Sequence, residues 1–308
     1  MNISIDAVEK RYGGVTALNG PSFEIPSGST YGILGTNGAG KTTLFRLLVG
    51  HDRPDAGTIT VGGIDTVTAG DAVRTKVGYL PEQVGFPGLL TGEEVLSVHA
   101  SVHDLASAPE RIASVLATVG LEDAAHRRVE GYSNGMRRRL GLGAALLAKP
   151  PVLVLDEPTA GLDPRGVESF HRIIEAIDRE TDATVVLSSH ALTEVERVCD
   201  RIAILHEGRL CASGRVDELT VATGEEVTVT LRPTTSDARD RLRTLLADFR
   251  IGSKNHDGSI ELTCHRSQAI DLVGQVHPLD IDHIEVREPG LDAAFNAAID
   301  ADVEVSAA

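Results

Sequence analysis

Hydrophobic positions along this chain switch repeatedly between a period of two and a period near four. Residues 3–8, 17–25 and 30–34 read as strands. A Gly-rich turn over residues 35–40 follows, and then a helical pattern over residues 41–49 that Gly50 and Pro54 stop. Residues 58–61 form a short strand ahead of a turn at Gly62-Gly63. From Thr91 to about Val129 the pattern is helical, with Ile112, Val115, Leu116 and Val119 spaced along one buried face. Residues 152–155 are continuously apolar between Pro151 and Asp156, and residues 184–187 repeat that texture. Runs this short and this uniformly apolar mark parallel strands buried on both faces. Between them Val167, Phe170, Ile173, Ile174 and Ile177 make a helical stripe. The alternation predicts an α/β unit around a largely parallel sheet.

After about Thr220 the texture changes. Val227, Val229 and Leu231 alternate with Thr228 and Thr230, which is a strand with one wet face. Helix over residues 236–249, strand over 259–264, helix over 268–276, strand over 284–286 and a last helix over 291–299 complete a small split βαβ layer.

Composition narrows the function. The 308 residues are 42% hydrophobic and 24% charged, so the chain can bury a core for each of two domains. No apolar run reaches the roughly 18–20 residues of a membrane-spanning helix. The best candidate, residues 140–155, is interrupted by Lys149, Pro150 and Pro151. The first ten residues alternate and carry acids, unlike a signal peptide, so a cytoplasmic protein is expected. Any work at a membrane then needs a partner that supplies the spans. The net charge is −16, from 45 acidic and 29 basic residues, which argues against nucleic acid as a partner. The lysines are Lys10, Lys41, Lys76, Lys149 and Lys254. Many acids and few lysines fit a halophile's hydrated surface, and equally an acidic cytosolic protein from a GC-rich genome. Cys199, Cys211 and Cys264 have no CxxC spacing, so neither a disulfide framework nor a zinc knuckle is expected.

The chemistry begins at Gly35-Thr36-Asn37-Gly38-Ala39-Gly40-Lys41-Thr42, which fits G-x-x-x-x-G-K-[ST] between a predicted strand and a predicted helix. Glycines let backbone N–H groups curl around phosphate oxygens, and the helix start adds partial positive charge. Lys41 can reach β- and γ-phosphates, and the Thr42 hydroxyl can ligate Mg²⁺, with Thr43 next in the same turn. A second buried strand ends in Asp156-Glu157. There Asp156 would hold Mg²⁺ through water, and Glu157 would orient or deprotonate the attacking water.

With these motifs, Tyr132-Ser133-Asn134-Gly135-Met136 followed by three arginines resembles the signature motif of ABC transporter ATPase subunits. The resemblance runs from about Ile3 to Leu219. It implies a P-loop ABC ATPase domain at 1–219, a mixed sheet with a helical subdomain near 84–140, and a small α+β domain at 220–308. By the same resemblance Ser133 and Gly135 would contact the γ-phosphate of ATP held by the opposite subunit of a homodimer. Tyr12 looks like the aromatic that stacks on adenine. Asp163, in Gly161-Leu162-Asp163, looks like part of the loop that crosses to the partner. His190 looks like the switch histidine that senses γ-phosphate, a catalytic role beside Lys41 and Glu157. The implied ligands are ATP and Mg²⁺. The implied partners are integral membrane permease subunits, with this chain peripheral on the cytoplasmic face of the membrane.

Two departures are informative. Where the family has Gln, this chain has Glu82 followed by Gln83, and Glu82 aligns best as the Mg²⁺ or water ligand. The signature carries Tyr132, Asn134 and Met136 in place of Leu, Gly and Gln. Both look like the ABC-2 exporter branch. Within it, Tyr79-Leu80-Pro81-Glu82 and the tail from Ile284 through Glu288-Pro289 look like the nitrous-oxide-reductase maturation transporter, associated with copper delivery. His99 with His103, and Cys264 with His265, lack further ligands nearby and read as structural. A soluble ABC-type ATPase stays as the alternative, although such proteins usually carry coiled-coil insertions or two cassettes. Intact Lys41, Asp156, Glu157 and His190 argue against a non-hydrolysing module.

Overall fold

The computed structural model describes residues 1–222, 226–248, 253–256, 258–277, 279–287 and 290–307. Residue 249, the expected end of a helix, and Glu288 and Pro289 lie outside the described residues. The chain divides into two compact units, Met1–Val216 and Asp217–Ala308.

The first unit opens with β1 (Ile3–Tyr12), β2 (Val15–Asn19), β3 (Phe23–Ile25), β4 (Thr30–Gly35), α1 (Lys41–Leu48), β5 (Ala56–Val61) and β6 (Ile64–Asp65). The stretch 17–25, expected as one strand, is two, because Gly20 turns with φ 77 just before Pro21. Then come α2 (Gly70–Arg74), β7 (Val77–Leu80), α3 (Gly92–Val102), α4 (Ala108–Thr118), α5 (Asn134–Leu146) and β8 (Val152–Leu155). The unit closes with α6 (Pro164–Glu180), β9 (Thr184–Ser189), α7 (Leu192–Val198), β10 (Arg201–His206) and β11 (Arg209–Arg215), and α8 (Val216–Ala222) follows.

Two sheets form. An antiparallel one has order β2-β1-β5-β6, with β3 also on β1. The six-stranded one has order β11-β10-β4-β9-β8-β7, and its pairs are parallel except β10 with β11. Every residue of β4, β8 and β9 is buried, as uniform apolar runs in a covered sheet require. Burying one such Val, Leu or Ile side chain stabilises by about 1.5–3 kcal/mol.

The helical stretch expected from 91 to 129 is broken. Thr91 and Glu94 cap the start of α3 reciprocally. The chain then turns at Asp104, φ 50, and restarts at α4 with Pro109 in its first turn. Beyond α4 two 3₁₀ turns follow, at Glu122–Ala124 and Val129–Gly131. Val95 and Leu96 of α3, Val115 and Leu116 of α4, and Leu142 of α5 are buried.

The second unit runs β12 (Glu226–Pro233), α9 (Ser236–Asp248), β13 (Ser253–His256), β14 (Ser259–His265), α10 (Arg266–Val276), β15 (Ile281–Arg287) and α11 (Leu291–Ala307). Its antiparallel sheet has order β13-β14-β12-β15, a split βαβ arrangement. The last helix continues well past residue 299, where the sequence reading ended it.

Candidate active site

The loop between β4 and α1 is shaped by two glycines that nothing larger could replace. A Cβ on Gly35 would lie 2.5 Å from the Leu205 carbonyl oxygen. Gly40 has φ 101, and its Cβ would lie 2.5 Å from the Ala17 carbonyl oxygen. No side chain caps the start of α1, so its leading N–H groups keep their capacity for an anion. Lys41 is buried. Its Nζ donates to the carbonyl oxygens of Gly35 at 2.7 Å and Thr36 at 3.3 Å, and lies 3.5 Å from Glu157 Oε1.

The acidic pair follows β8. Asp156 is fully buried; its Oδ1 accepts from Ser188 Oγ at 2.7 Å, and its Oδ2 has no hydrogen-bond partner. The same Ser188 hydroxyl oxygen accepts from the Glu157 N–H at 2.8 Å. Glu157 takes φ 46, a left-handed conformation that costs a non-glycine residue about 1–3 kcal/mol. Its Oε2 lies 2.8 Å from His190 Nδ1, so with the carboxylate accepting, the imidazole N–H donates. Glu157 thus bridges Lys41 and His190. Removing Lys41 would leave a mostly buried carboxylate without its compensating cation, which is costly. Ser188 was not singled out in the sequence reading. The signal that could have found its role was its place at the end of a buried strand beside β8.

Thr36 to Thr43, Glu82, Glu157 and His190 line one cavity of about 600 Å³. Gln83 is exposed and does not line it, so the geometry favours Glu82 at that position. Tyr12 stands at the end of β1, 43% exposed, outside those lining residues. Its hydroxyl donates to Asp52 Oδ2 at 2.6 Å, and Arg46 Nε lies 3.0 Å from the same oxygen. Lys10 Nζ stands 5.3 Å from the Tyr12 ring centroid. Partial burial and then the Asp52 carboxylate raise the Tyr12 pKa. Asp52, an anchor forty residues away, carried no sequence signal.

Ser133, Gly135 and Asp163 are not brought to the phosphate loop. They line a separate cavity of about 520 Å³, which shares no lining residue with the first. Ser133 caps α5, its Oγ accepting from the Met136 N–H at 3.2 Å. Asp163 caps α6 through the Gly166 N–H at 2.8 Å. The signature's Tyr132 is buried, its hydroxyl donating to the Ala124 carbonyl at 2.6 Å. A Cβ at Gly92 would sit 2.4 Å from that hydroxyl, so the tyrosine and the glycine fit as a pair.

Among the described residues no group of three or more His, Cys, Asp and Glu could hold a metal ion by itself. Mg²⁺ does not require one, because it keeps waters and takes nucleotide oxygens beside one or two protein ligands. Thr42, Glu82 and the unpartnered oxygen of Asp156 are hard donors of the right kind. His99 ends up in a small groove with His103, and burial and then His103 lower its pKa.

A strand, a glycine loop and a helix-start lysine facing a buried acidic pair define a P-loop nucleotide triphosphatase. Known proteins narrow this. A family model for ABC transporters matches residues 18–160. The daunorubicin resistance ATP-binding protein DrrA3 of Streptomyces coeruleorubidus is 42% identical over 234 residues, covering 75% of this chain and 73% of its own. The linearmycin resistance ATP-binding protein LnrL of Bacillus subtilis is 32% identical over 305 residues, covering 95% and 96%. A solved ATP-binding subunit of an ABC transporter superposes with TM-score 0.65 at 28% identity, covering 71% of this chain and 92% of that one. This chain therefore belongs to the ATP-binding, ATP-hydrolysing subunits of ABC transporters, with homologues in the ABC-2 exporter branch. No helix among the described residues is long and apolar enough to cross a membrane.

Proposed function

We propose that the chain binds MgATP in the loop cavity and hydrolyses it with Glu157 as the base. It does so as a homodimer seated on separate membrane permease subunits, at the cytoplasmic face of the membrane. The observation that carries the chemistry is the bridge Lys41–Glu157–His190. Lys41 now spends its N–H groups on its own loop's carbonyls, so β- and γ-phosphates would replace acceptors already in place. Released from Lys41, Glu157 is free to take a proton from water, and His190 holds its other oxygen. Mg²⁺ would be held by Thr42, Asp156 and Glu82, and would supply charge neutralisation on the phosphate oxygens. Tyr12, kept in place by Asp52, offers a ring face for adenine.

The separation of the two cavities supports the dimer. Ser133, Gly135 and Asp163 present a second polar surface that the chain's own phosphate loop does not use. A second copy would bring it over the γ-phosphate. The relatives' names, daunorubicin and linearmycin resistance, support a resistance exporter rather than the copper-linked branch.

One variant tests both parts. Glu157→Gln should keep ATP binding, lose at least about 100-fold in turnover, and accumulate as an ATP-bound dimer on a sizing column. Wild-type turnover by this variant rejects the base. A turnover-dead variant that stays monomeric with ATP on that column rejects the shared site.

A further inference from the structure

The middle residue of the arginine run after the signature is used by neither part of that reading, yet it is the most heavily bonded side chain near the site. Arg138 lies in the second turn of α5 and is only 6% exposed. Its Nε donates to the Pro158 carbonyl at 2.9 Å. Its Nη1 donates to the carbonyls of Pro81, at 3.1 Å, and Glu82. Its Nη2 donates to the carbonyls of Asp156, at 2.7 Å, and Glu157. A guanidinium has five N–H groups, and all five are spent on main-chain oxygens. No carboxylate takes any of them. The acceptors belong to two loops, one leaving β7 and one leaving β8. Gly141, one turn further along α5, makes the approach close: a Cβ there would lie 2.8 Å from Leu80 Cδ1.

We infer that Arg138 is a positioning residue for ATP hydrolysis, fixing the main chain of Glu82, Asp156 and Glu157 from the signature helix. The inference rests on the reading of Glu157 as the base. The left-handed backbone at Glu157 needs surroundings that over-determine it. Ser188 holds its N–H and Arg138 holds its carbonyl. Arg138 also sits one turn beyond Ser133, the cap of α5, so a γ-phosphate bound there by a second copy acts on the same rigid helix that grips the base. Charge cannot explain the site on its own, because a lysine would bring the same charge but only three donors, and those from one atom.

The test uses the full chain and measures kcat, KM and ATP affinity for Arg138→Lys, Arg138→Met and Arg138→Ala, alone and with Glu157→Gln. The expected loss in kcat is about 100-fold for Arg138→Met and about 10-fold for Arg138→Lys, the scale of a misplaced catalytic group. ATP affinity should stay within about threefold, because none of the five acceptors belongs to the phosphate loop. In the Glu157→Gln background, Arg138→Met should cost markedly less than it does alone, since the base among the residues it positions is gone. Guanidinium ion at millimolar concentration should restore part of the kcat of Arg138→Ala. A kcat for Arg138→Lys within about twofold of wild type, beside an inactive Glu157→Gln, overturns this inference and leaves the base reading standing. So does an equal loss in kcat and in ATP affinity, which is what general unfolding of the site produces. Should Arg138→Met not fold, Arg138→Lys, which keeps charge and stem, decides the matter. Wild-type turnover in Glu157→Gln removes the base itself, and is read separately.

Discussion

The two units of this chain fill their interiors with different materials. Inside residues 1–216 lie Lys41, Arg138, Asp156 and Glu157, each ionisable and each at most 9% exposed. Inside residues 217–308 the core is Val227, Val229, Leu231, Leu242, Leu262 and Leu272, and the one buried polar residue among those described is Ser259. Burying a charge costs several kcal/mol unless partners replace the lost water, whereas burying a leucine stabilises on its own. The first unit accepts that cost, and in return its donors and acceptors stand aligned before any nucleotide arrives. Among its described residues the second buries no ionic cluster of that kind, and its core is hydrocarbon packing. The difference teaches where function sits: in the interior that is worst as a hydrophobic core.

The same substitution in each unit should therefore have opposite consequences, and the largest is expected in the first. Gly40→Ala places a methyl 2.5 Å from the Ala17 carbonyl and 2.8 Å from Leu18 Cδ2, at a φ that alanine resists. The loop has to move, and displacement of about 1 Å costs on the order of 100-fold in catalysis. ATP affinity and kcat should fall together, unlike in Arg138→Lys. Nucleotide titration checks this, and unaltered affinity would mean that the loop's shape is not set by Gly40.

How much of this was legible in the sequence depended on whether a residue's neighbours in the chain were also its neighbours in space. β8 and the acidic pair were readable because a short apolar run closed by Pro151 and Asp156 has few alternatives. The phosphate loop was readable because its whole function lies in eight consecutive residues. Arg138 was not: nothing in a run of three arginines marks which of them is buried. Only helical periodicity, which puts residue 138 on one side with Gly141, Leu142 and Ala145, separates it from Arg137. Asp52 escaped because its partner Tyr12 is brought to it by the pairing of β1 with β5. The break between α3 and α4 escaped because the apolar spacing carries on through it, while the turn depends on Asp104 taking a conformation that sequence does not advertise.

A smaller effect is expected in the second core. Leu242 is fully buried among Val229, Leu231 and Leu262. Leu242→Ala should destabilise this unit by about 2–5 kcal/mol, the transfer loss plus whatever cavity fails to collapse. Because no charged residue is buried in this core among the described residues, the defect should appear in a denaturant transition while nucleotide affinity holds. Loss of ATP binding in a still-folded Leu242→Ala protein would show that the hydrocarbon unit shapes the site after all.

The smallest effect, and the opposite sign from Gly40→Ala, belongs to Gly274. It lies near the end of α10, exposed, and a Cβ there would meet nothing within 4 Å. Glycine in a helix leaves the unfolded chain unusually free and gives the folded one no side chain. Alanine at such a site stabilises by about 0.5–1 kcal/mol, less toward the frayed last turn. Gly274→Ala should thus raise the urea midpoint of the second unit slightly with an unchanged slope, since the surface exposed on unfolding hardly differs. Turnover should stay at the wild-type value, because none of the described residues that line the loop cavity belongs to this unit. A lowered midpoint would mean that the space above Gly274 is not open in the working protein. A midpoint lowered in the full transporter but raised in the isolated chain would mean that the methyl meets another chain there.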